Sequence, residues 1–415
     1  MHAPDTVRRP RVRTREPFRA QGVIRFELPD DALPANHRAR LLWRVVETLD
    51  VSRFLRDAKA VEGRQGRAVV SVRMLLTLWL YAVSVGIGSA REIARRIGSD
   101  EAFRWIVGDQ SVGHAKLSEF RVGHGDALDA LFSDVLASLV HQGLVSLERV
   151  AQDGTRVRAS ASAPSFRREA SLLECREQAA LHVKAVLAEA PDPEVSAAEQ
   201  SARQAAALDY QRRVEAALEA IEQLRREGKE EPRASTTDAD ARVMKMPDGG
   251  FRPAYNVQLA TAGSELGGPR TIVGLRVTRI GSDMGSVSPM LADIQARTGQ
   301  LPEVLLADAN HAAHACIEHA ASAGVELLVA VPKREQKAKA QVSPAVIAWR
   351  ARMQTEDAKR IYRSRAALCE LSNAHLKHHH GAALLPVRGL AKVTCVVLLA
   401  ALAGNILAHT AALLA

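Results

Sequence analysis

Three acidic residues sit in apolar settings where solubility does not call for a carboxylate: Asp153 in VAQDGTRVRAS, Asp308 in VLLADANH and Glu370 in YRSRAALCELSNAHLK. Asp308 closes the run Val304-Leu305-Leu306-Ala307, which has the pattern of a fully buried strand, and a carboxylate at a strand's end can face a cleft. Asp153 lies in a second strand-like run. Arg363, Glu370 and Lys377 are spaced by sevens, which predicts one helical face carrying an acid between two cations, with Leu368, Leu371 and Leu376 on the apolar side. Oxygen ligands on rigid elements suit Mg²⁺, with Mn²⁺ as a substitute. Two such ions about 3.5–4 Å apart can clamp an in-line displacement at phosphorus. The triad points to nuclease or strand-transfer chemistry. The plainer alternative stays open from spacing alone, because the chain has 47 Asp and Glu residues and Asp-Gly at 153–154 is also an ordinary turn signal.

The elements that must position these acids follow from the periodicity. The first 34 residues combine arginines with prolines and are expected to form an extended, partly disordered basic arm. From 35 to 146 the apolar spacing is helical, as in Leu41-Leu42-Val45-Val46-Leu49 and Leu128-Leu131-Val135-Leu139, which predicts an all-α domain. Within it, residues 89–96 and 114–121 have the pattern of short basic helices joined by a Gly-containing loop. A helix-turn-helix-like unit would present Arg91, Arg95, Lys116 and Arg121 to DNA, and a bundle with solvated charges is the alternative. Residues 147–415 form the expected catalytic domain. It is interrupted at 166–233 by an Ala-, Glu- and Arg-rich helical insertion that Pro191 and Pro193 split, and it ends in closing helices over 355–415. After the insertion, Tyr255, Val257, Leu259 and Thr261 alternate as in a half-buried strand. Ile272–Val277, Val304–Ala307 and Val325–Val331 supply further strands, with helices at about 284–298 and 312–323.

Composition narrows the classes. The balance of 56 Lys and Arg against 47 Asp and Glu gives a net charge of +9, which favours a polyanionic partner. Four widely spaced cysteines without a C-x-x-C pair argue against a zinc cluster or a disulfide framework and for a reducing cytoplasm. No apolar h-region follows the amino-terminal arginines, so no secretory signal is expected. Residues 393–415 are apolar and long enough to span a bilayer, but Asn405 and His409 interrupt them, and a buried closing helix is the expectation. His378-His379-His380 diverge by about 100° each on a regular helix, which predicts a phosphate-facing or solvated patch instead of a metal site. Asp238 and Asp240 fit turn chemistry in STTDADA, and Lys333-Arg334 with Lys337 and Lys339 form a basic run.

Four ordered blocks of this sequence resemble insertion-sequence transposases of the DDE type: Asp153-Gly154-Thr155 with the basic and small residues after it, STTDADARVMKMPDGGFRPAYNVQLA at 235–260, LLADANHAA around Asp308, and Tyr362, Arg363, Arg365, Glu370 and Lys377 followed by HGAALLPVRGLAKV. The sequence departs from the family's pattern at Ala309-Asn310-His311, where relatives carry Gly and an aromatic residue, and at Leu371-Ser372-Asn373, where an apolar run is usual. The resemblance implies an α+β multidomain chain, with a ribonuclease-H-like catalytic domain behind the helical one. It also implies two Mg²⁺ ions on Asp153, Asp308 and Glu370, with Tyr362, Arg363, Arg365 and Lys377 positioning phosphate. The implied reaction cleaves DNA at element ends and joins the 3′-hydroxyl to target DNA. The implied setting is a homodimeric synaptic complex in a bacterial, nucleoid-associated cytoplasm, without a membrane. Two alternatives stay open: a domesticated or inactive DNA-binding derivative, and a metal-dependent nuclease that never joins strands.

Overall fold

A computed structural model describes residues 28–56, 69–108, 110–189, 195–263, 268–332 and 342–415. Most of the basic arm, Pro191, Pro193, Lys333, Arg334, Lys337 and Lys339 lie outside the described residues.

Among the described residues six α-helices come first: α1 (Arg38–Thr48), α2 (Val72–Ser84), α3 (Ala90–Ile97), α4 (Glu101–Val107), α5 (His114–Gly123) and α6 (Gly125–His141). The short helix α4 separates the two basic helices that the sequence suggested were joined by a loop. Asp100 starts it by accepting the Ala102 and Phe103 N–H groups, and Gly108, with φ of 57°, ends it. Helices α3 and α5 both pack with their neighbours around Ile93, Phe103, Leu117 and Phe120.

The mixed sheet begins with β1 (Arg149–Arg158). A two-residue pair, β2 (Phe166–Arg167) with β3 (Ala234–Ser235), closes the base of a helical hairpin made of α7 (Glu169–Ala188) and α8 (Ala197–Arg226). Val214, Ala217, Ile221 and Leu224 form the narrow buried stripe of α8, and Arg225 pairs with Glu169 across the hairpin. The sheet continues with β4 (Arg242–Lys245), β5 (Phe251–Ala262), β6 (Thr271–Thr278), β7 (Val304–Ala307) and β8 (Glu326–Val329), with α9 (Val287–Thr298) and α10 (His314–Ser322) as crossovers. Its path is β4-β5-β1-β7-β8, with β6 also on β5. β5 is antiparallel to its neighbours β4, β6 and β1, whereas β7 and β8 continue parallel to β1. The alternation expected in β5 is absent. Residues 253–262 are buried on both faces, because α13 (Arg365–Ala374) covers one side and α9 the other.

After α11 (Pro344–Gln354), the expected single helix around Glu370 is broken into α12 (Glu356–Arg363), α13 (Arg365–Ala374) and a π turn at His375–His379. The break at Ser364 and the widened turn remove the straight face on which Arg363, Glu370 and Lys377 were expected to align.

The apolar carboxy-terminal run forms α14 (Leu390–Ala408), followed by α15 (Thr410–Leu413). Helix α14 is buried against α2, α5, α6 and β6, and the apolar interior runs unbroken from the helices to the sheet. The two polar interruptions have partners. The Asn405 amide accepts from Ile272 N–H at 2.9 Å and donates to Ile272 C=O at 2.8 Å, so it stands in for a neighbouring strand on β6, and His409 Nε2 meets Thr271 Oγ1 at 2.7 Å. Asp238 and Asp240 lie in the expected turn and do more than shape it. They accept the N–H groups of Gly389 and Leu390 at 3.1 and 2.9 Å, capping α14 where its dipole favours an anion.

Candidate active site at the end of β1 and β7

The parallel register of β1 and β7 pairs Ala151 with Leu306. Side chains repeat every second residue, so Asp153 and Asp308, each two residues beyond that pair, leave adjacent strands at the same end of the sheet. Asp153 Oδ1 accepts the Gly154 N–H at 2.9 Å, and Oδ2 accepts from Asn373 Nδ2 of α13 at 3.0 Å. Asp308 Oδ1 accepts the Asn310 N–H at 3.0 Å and meets His311 Nδ1 at 2.6 Å, while Oδ2 accepts from Asn310 Nδ2 at 3.0 Å.

A buried polar network supports the two acids. His311 is fully enclosed, and its Nε2 lies 3.4 Å from Gln258 Oε1, which also accepts from Gln152 Nε2 at 3.1 Å. Asp283 is only 3% exposed. Its charge is met by Arg156 at 2.9 Å, with Asn256 Nδ2 and Gln258 Nε2 donating at 2.8 and 2.6 Å. A buried carboxylate tolerates desolvation when its lone pairs are filled in this way. Gly154 is required where the network passes behind β1, because a Cβ there would lie 2.2 Å from Gln258 Nε2 and 2.3 Å from Asp283 Oδ1.

The electrostatics couple several predicted residues. Burial pushes the Asp153 carboxyl above its ordinary range, with Arg365 opposing and the Asp308 charge adding. Burial alone would raise Asp308 as well, but the bonds from His311 and Asn310 outweigh it and hold that carboxyl below the usual value. Burial works against the Arg365 charge, and its neighbours Cys369, Tyr362, Asp153 and Asp308 outweigh that cost. Arg365 also lies over the Tyr362 ring, 6.0 Å from its centroid. Burial and the nearby Arg156 lower the Lys377 ammonium, while Asp153 favours its charge. The Cys369 thiol, beside these groups, is pushed up to about 12 by burial and by Asp153, which keeps it protonated and unreactive.

Asp153, Asp308, Tyr362, Arg365 and Lys377 are thus brought together. Glu370 projects from the exposed side of α13 and makes no hydrogen bond or ion pair among the described residues, and Arg363 is exposed at the end of α12. No group of three or more His, Cys, Asp or Glu side chains among the described residues is placed to hold a metal ion. The donor set still suits a hard divalent cation, since two carboxylates converge and the buried Oδ1 of Asn373, beside Asp153, has no hydrogen-bond partner.

The amino-terminal cations divide sharply. Arg91 and Arg95 are exposed, with Arg95 paired to Glu92, and Lys116 is half-buried and paired to Glu119 at 3.2 Å. Arg121, expected on the same DNA-facing surface, is instead 4% exposed. It donates to Gly88 C=O at 2.6 Å and lies 4.5 Å over the Trp79 ring, and burial lowers its pKa to about 10. Its guanidinium serves the core between α2 and α5.

His311, Gln258, Asp283 and Asn373 were not assigned roles from the sequence. The visible signal was polar residues inside YNVQ, a strand too apolar to carry them without partners.

Two family models match the chain. One, described as transposase DDE domain, covers residues 326–408, and the other, described as transposase domain (DUF772), covers residues 27–122. The first spans Tyr362 to Lys377 with Glu370, and the second spans α1 to most of α5; Asp153 and Asp308 lie outside both. No curated protein and no solved structure matches.

Proposed function

We propose that this chain, which two transposase family models match over residues 27–122 and 326–408, is an insertion-sequence DDE transposase that cleaves phosphodiester bonds at the ends of a DNA element and joins the freed 3′-hydroxyl to target DNA. The observation that carries this reading is the in-register exit of Asp153 and Asp308 from adjacent parallel strands, with Arg365 and Lys377 close enough to influence Asp153. The strand order, three antiparallel strands followed by two parallel to β1, supports a ribonuclease-H-like catalytic domain with the α7–α8 hairpin inserted behind β1.

A pair of Mg²⁺ ions held by Asp153, Asp308 and Glu370 would supply Lewis-acid activation of the attacking and leaving oxygens. The chain's own contribution is orientation. Asn373 and Gly154 fix the Asp153 carboxylate, and His311 and Asn310 fix that of Asp308. Arg365, braced on Tyr362, and Lys377 present positive charge to the phosphate from the helical side. Arg91, Arg95 and Lys116 hold the duplex from the amino-terminal helices, and two chains meet in the synaptic complex. A second reading, a DNA-binding derivative without catalysis, is favoured by the position of Glu370 apart from the two aspartates. Cleavage of end-sequence duplex in Mg²⁺ separates the two. Cleavage that stops in chelator and in Asp308→Asn supports the enzyme, and an unmodified chain that binds ends but never nicks them supports the derivative.

A further inference from the structure

The histidine run does something that a regular helix could not. His380 N–H bonds to His375 C=O at 2.9 Å, an i to i+5 closure that widens the turn and gathers the rings. The His375 ring stands edge-on to His379, with centroids 4.8 Å apart, and His380 is 6.4 Å away. These three line a cavity of about 520 Å³ with Arg38 from α1 and Arg270 from the approach to β6. Each arginine spends one N–H on a main-chain carbonyl, Arg38 on Ser84 at 2.7 Å and Arg270 on Ala367 at 2.8 Å, and keeps the others. No Asp or Glu is among the described lining residues, and Ile272, Leu376, Ala400 and Leu407 form an apolar floor.

Two guanidinium groups and three imidazole rings, with no acid among the described lining residues, leave this cavity rich in N–H donors that an anion can accept. Burial, then His379 and Arg270, already depress the His375 imidazolium, and burial holds His380 neutral at about 4, with its Nδ1 toward Val83 C=O at 3.3 Å. We propose that this cavity, on the His375–His379 turn between α1, β6 and α14, binds a phosphate group, that of one nucleotide in a DNA strand. The size of the cavity and its apolar floor suit a phosphate carried on an organic body better than a bare ion. Fork-shaped donors from Arg38 and Arg270 suit its oxygens. The phosphate chemistry stands on the cavity, whereas the DNA source rests on the function proposed above.

The test uses the full chain with ¹³C-labelled histidine, its His375 and His379 resonances assigned through H375Q and H379Q. It is titrated with inorganic phosphate and, separately, with a short duplex. Saturable shifts of both rings are expected with duplex, and with phosphate only at much higher concentration. Arg270→Gln is expected to weaken duplex binding by roughly 3- to 10-fold and to lower the salt slope by about one phosphate contact. Saturation by inorganic phosphate alone overturns the DNA source. Silence of both rings with both ligands, or wild-type affinity and slope in Arg270→Gln, overturns the site. Duplex binding through this cavity in a chain that never cleaves would keep the site and remove the transposase activity, so the two failures are distinguishable.

Discussion

The sheet half and the helix half of the candidate site are built to different standards. Asp153 and Asp308 leave a buried sheet in register, and hydrogen bonds engage both oxygens of each carboxylate. Glu370 sits one turn from Asn373 on α13, exposed, with Ser364 breaking the helix before it and a π turn widening it after. Strand-borne groups inherit their geometry from the ladder, which fixes neighbours to within a register. A carboxylate on a short helix is fixed only as well as that helix is packed. The lesson is that the sheet pre-forms its share of the site, while the exposed carboxylate of Glu370 on the helical side is left without partners among the described residues.

The largest effect tests whether the halves are equal partners. Asp308→Asn and Glu370→Gln should each lower Mg²⁺-dependent cleavage of end-sequence duplex by about 1000-fold while leaving duplex affinity nearly unchanged. Near-normal cleavage by Glu370→Gln would make the exposed acid dispensable and leave a two-aspartate site. Gly154→Ala strikes the sheet half from behind by forcing Gln258 and Asp283 apart. It should cost about 1–3 kcal/mol of stability in urea unfolding, and an unchanged midpoint would show that the network yields easily. Asn373→Leu removes the direct hydrogen bond from α13 to Asp153. Its Mn²⁺ affinity, followed by calorimetry, should fall about 10-fold, and equal affinity would mean that the sheet alone orients Asp153. The smallest effects come from the amino-terminal helices. Arg91→Ala and Arg95→Ala should weaken end binding a few-fold with stability within about 0.5 kcal/mol of the parent. Arg121→Ala should instead lower stability, because its contacts are Trp79 and Gly88 C=O; a selective loss of DNA binding in Arg121→Ala would reverse that assignment.

Much of this architecture is legible from periodicity alone. The buried run Val304–Ala307, the helices on either side of Pro191 and Pro193 and the closing helix at the carboxy terminus all follow from apolar spacing and length. What sequence could not supply were properties that depend on partners. Burial of β5 on both faces comes from α13 and α9, elements distant in the chain, so its alternating pattern misled. Arg121 has the same type and neighbourhood as Arg95, and only the proximity of Trp79 and Gly88 reverses its role. Short α4 was hidden between glycines, and the breaks at Ser364 and His375 leave no mark in a heptad count. The two aspartates were recognisable by their strand ends, whereas Asn373 and His311 acquire meaning only once β1, β7 and α13 are adjacent.

The placement of α14 has a consequence for how the chain folds. Helix α14 fills the space between α2, α5, α6 and β6, and its first turn is capped by Asp238 and Asp240, about 150 residues earlier in the chain. Contacts of such long sequence separation form late. Without residues 390–408 the apolar faces of α2, α5, α6 and β6 that α14 covers would be exposed, leaving the α6–α9 packing among the contacts that join the helices to the sheet. A chain lacking α14 is therefore expected to be a ready substrate for proteolysis.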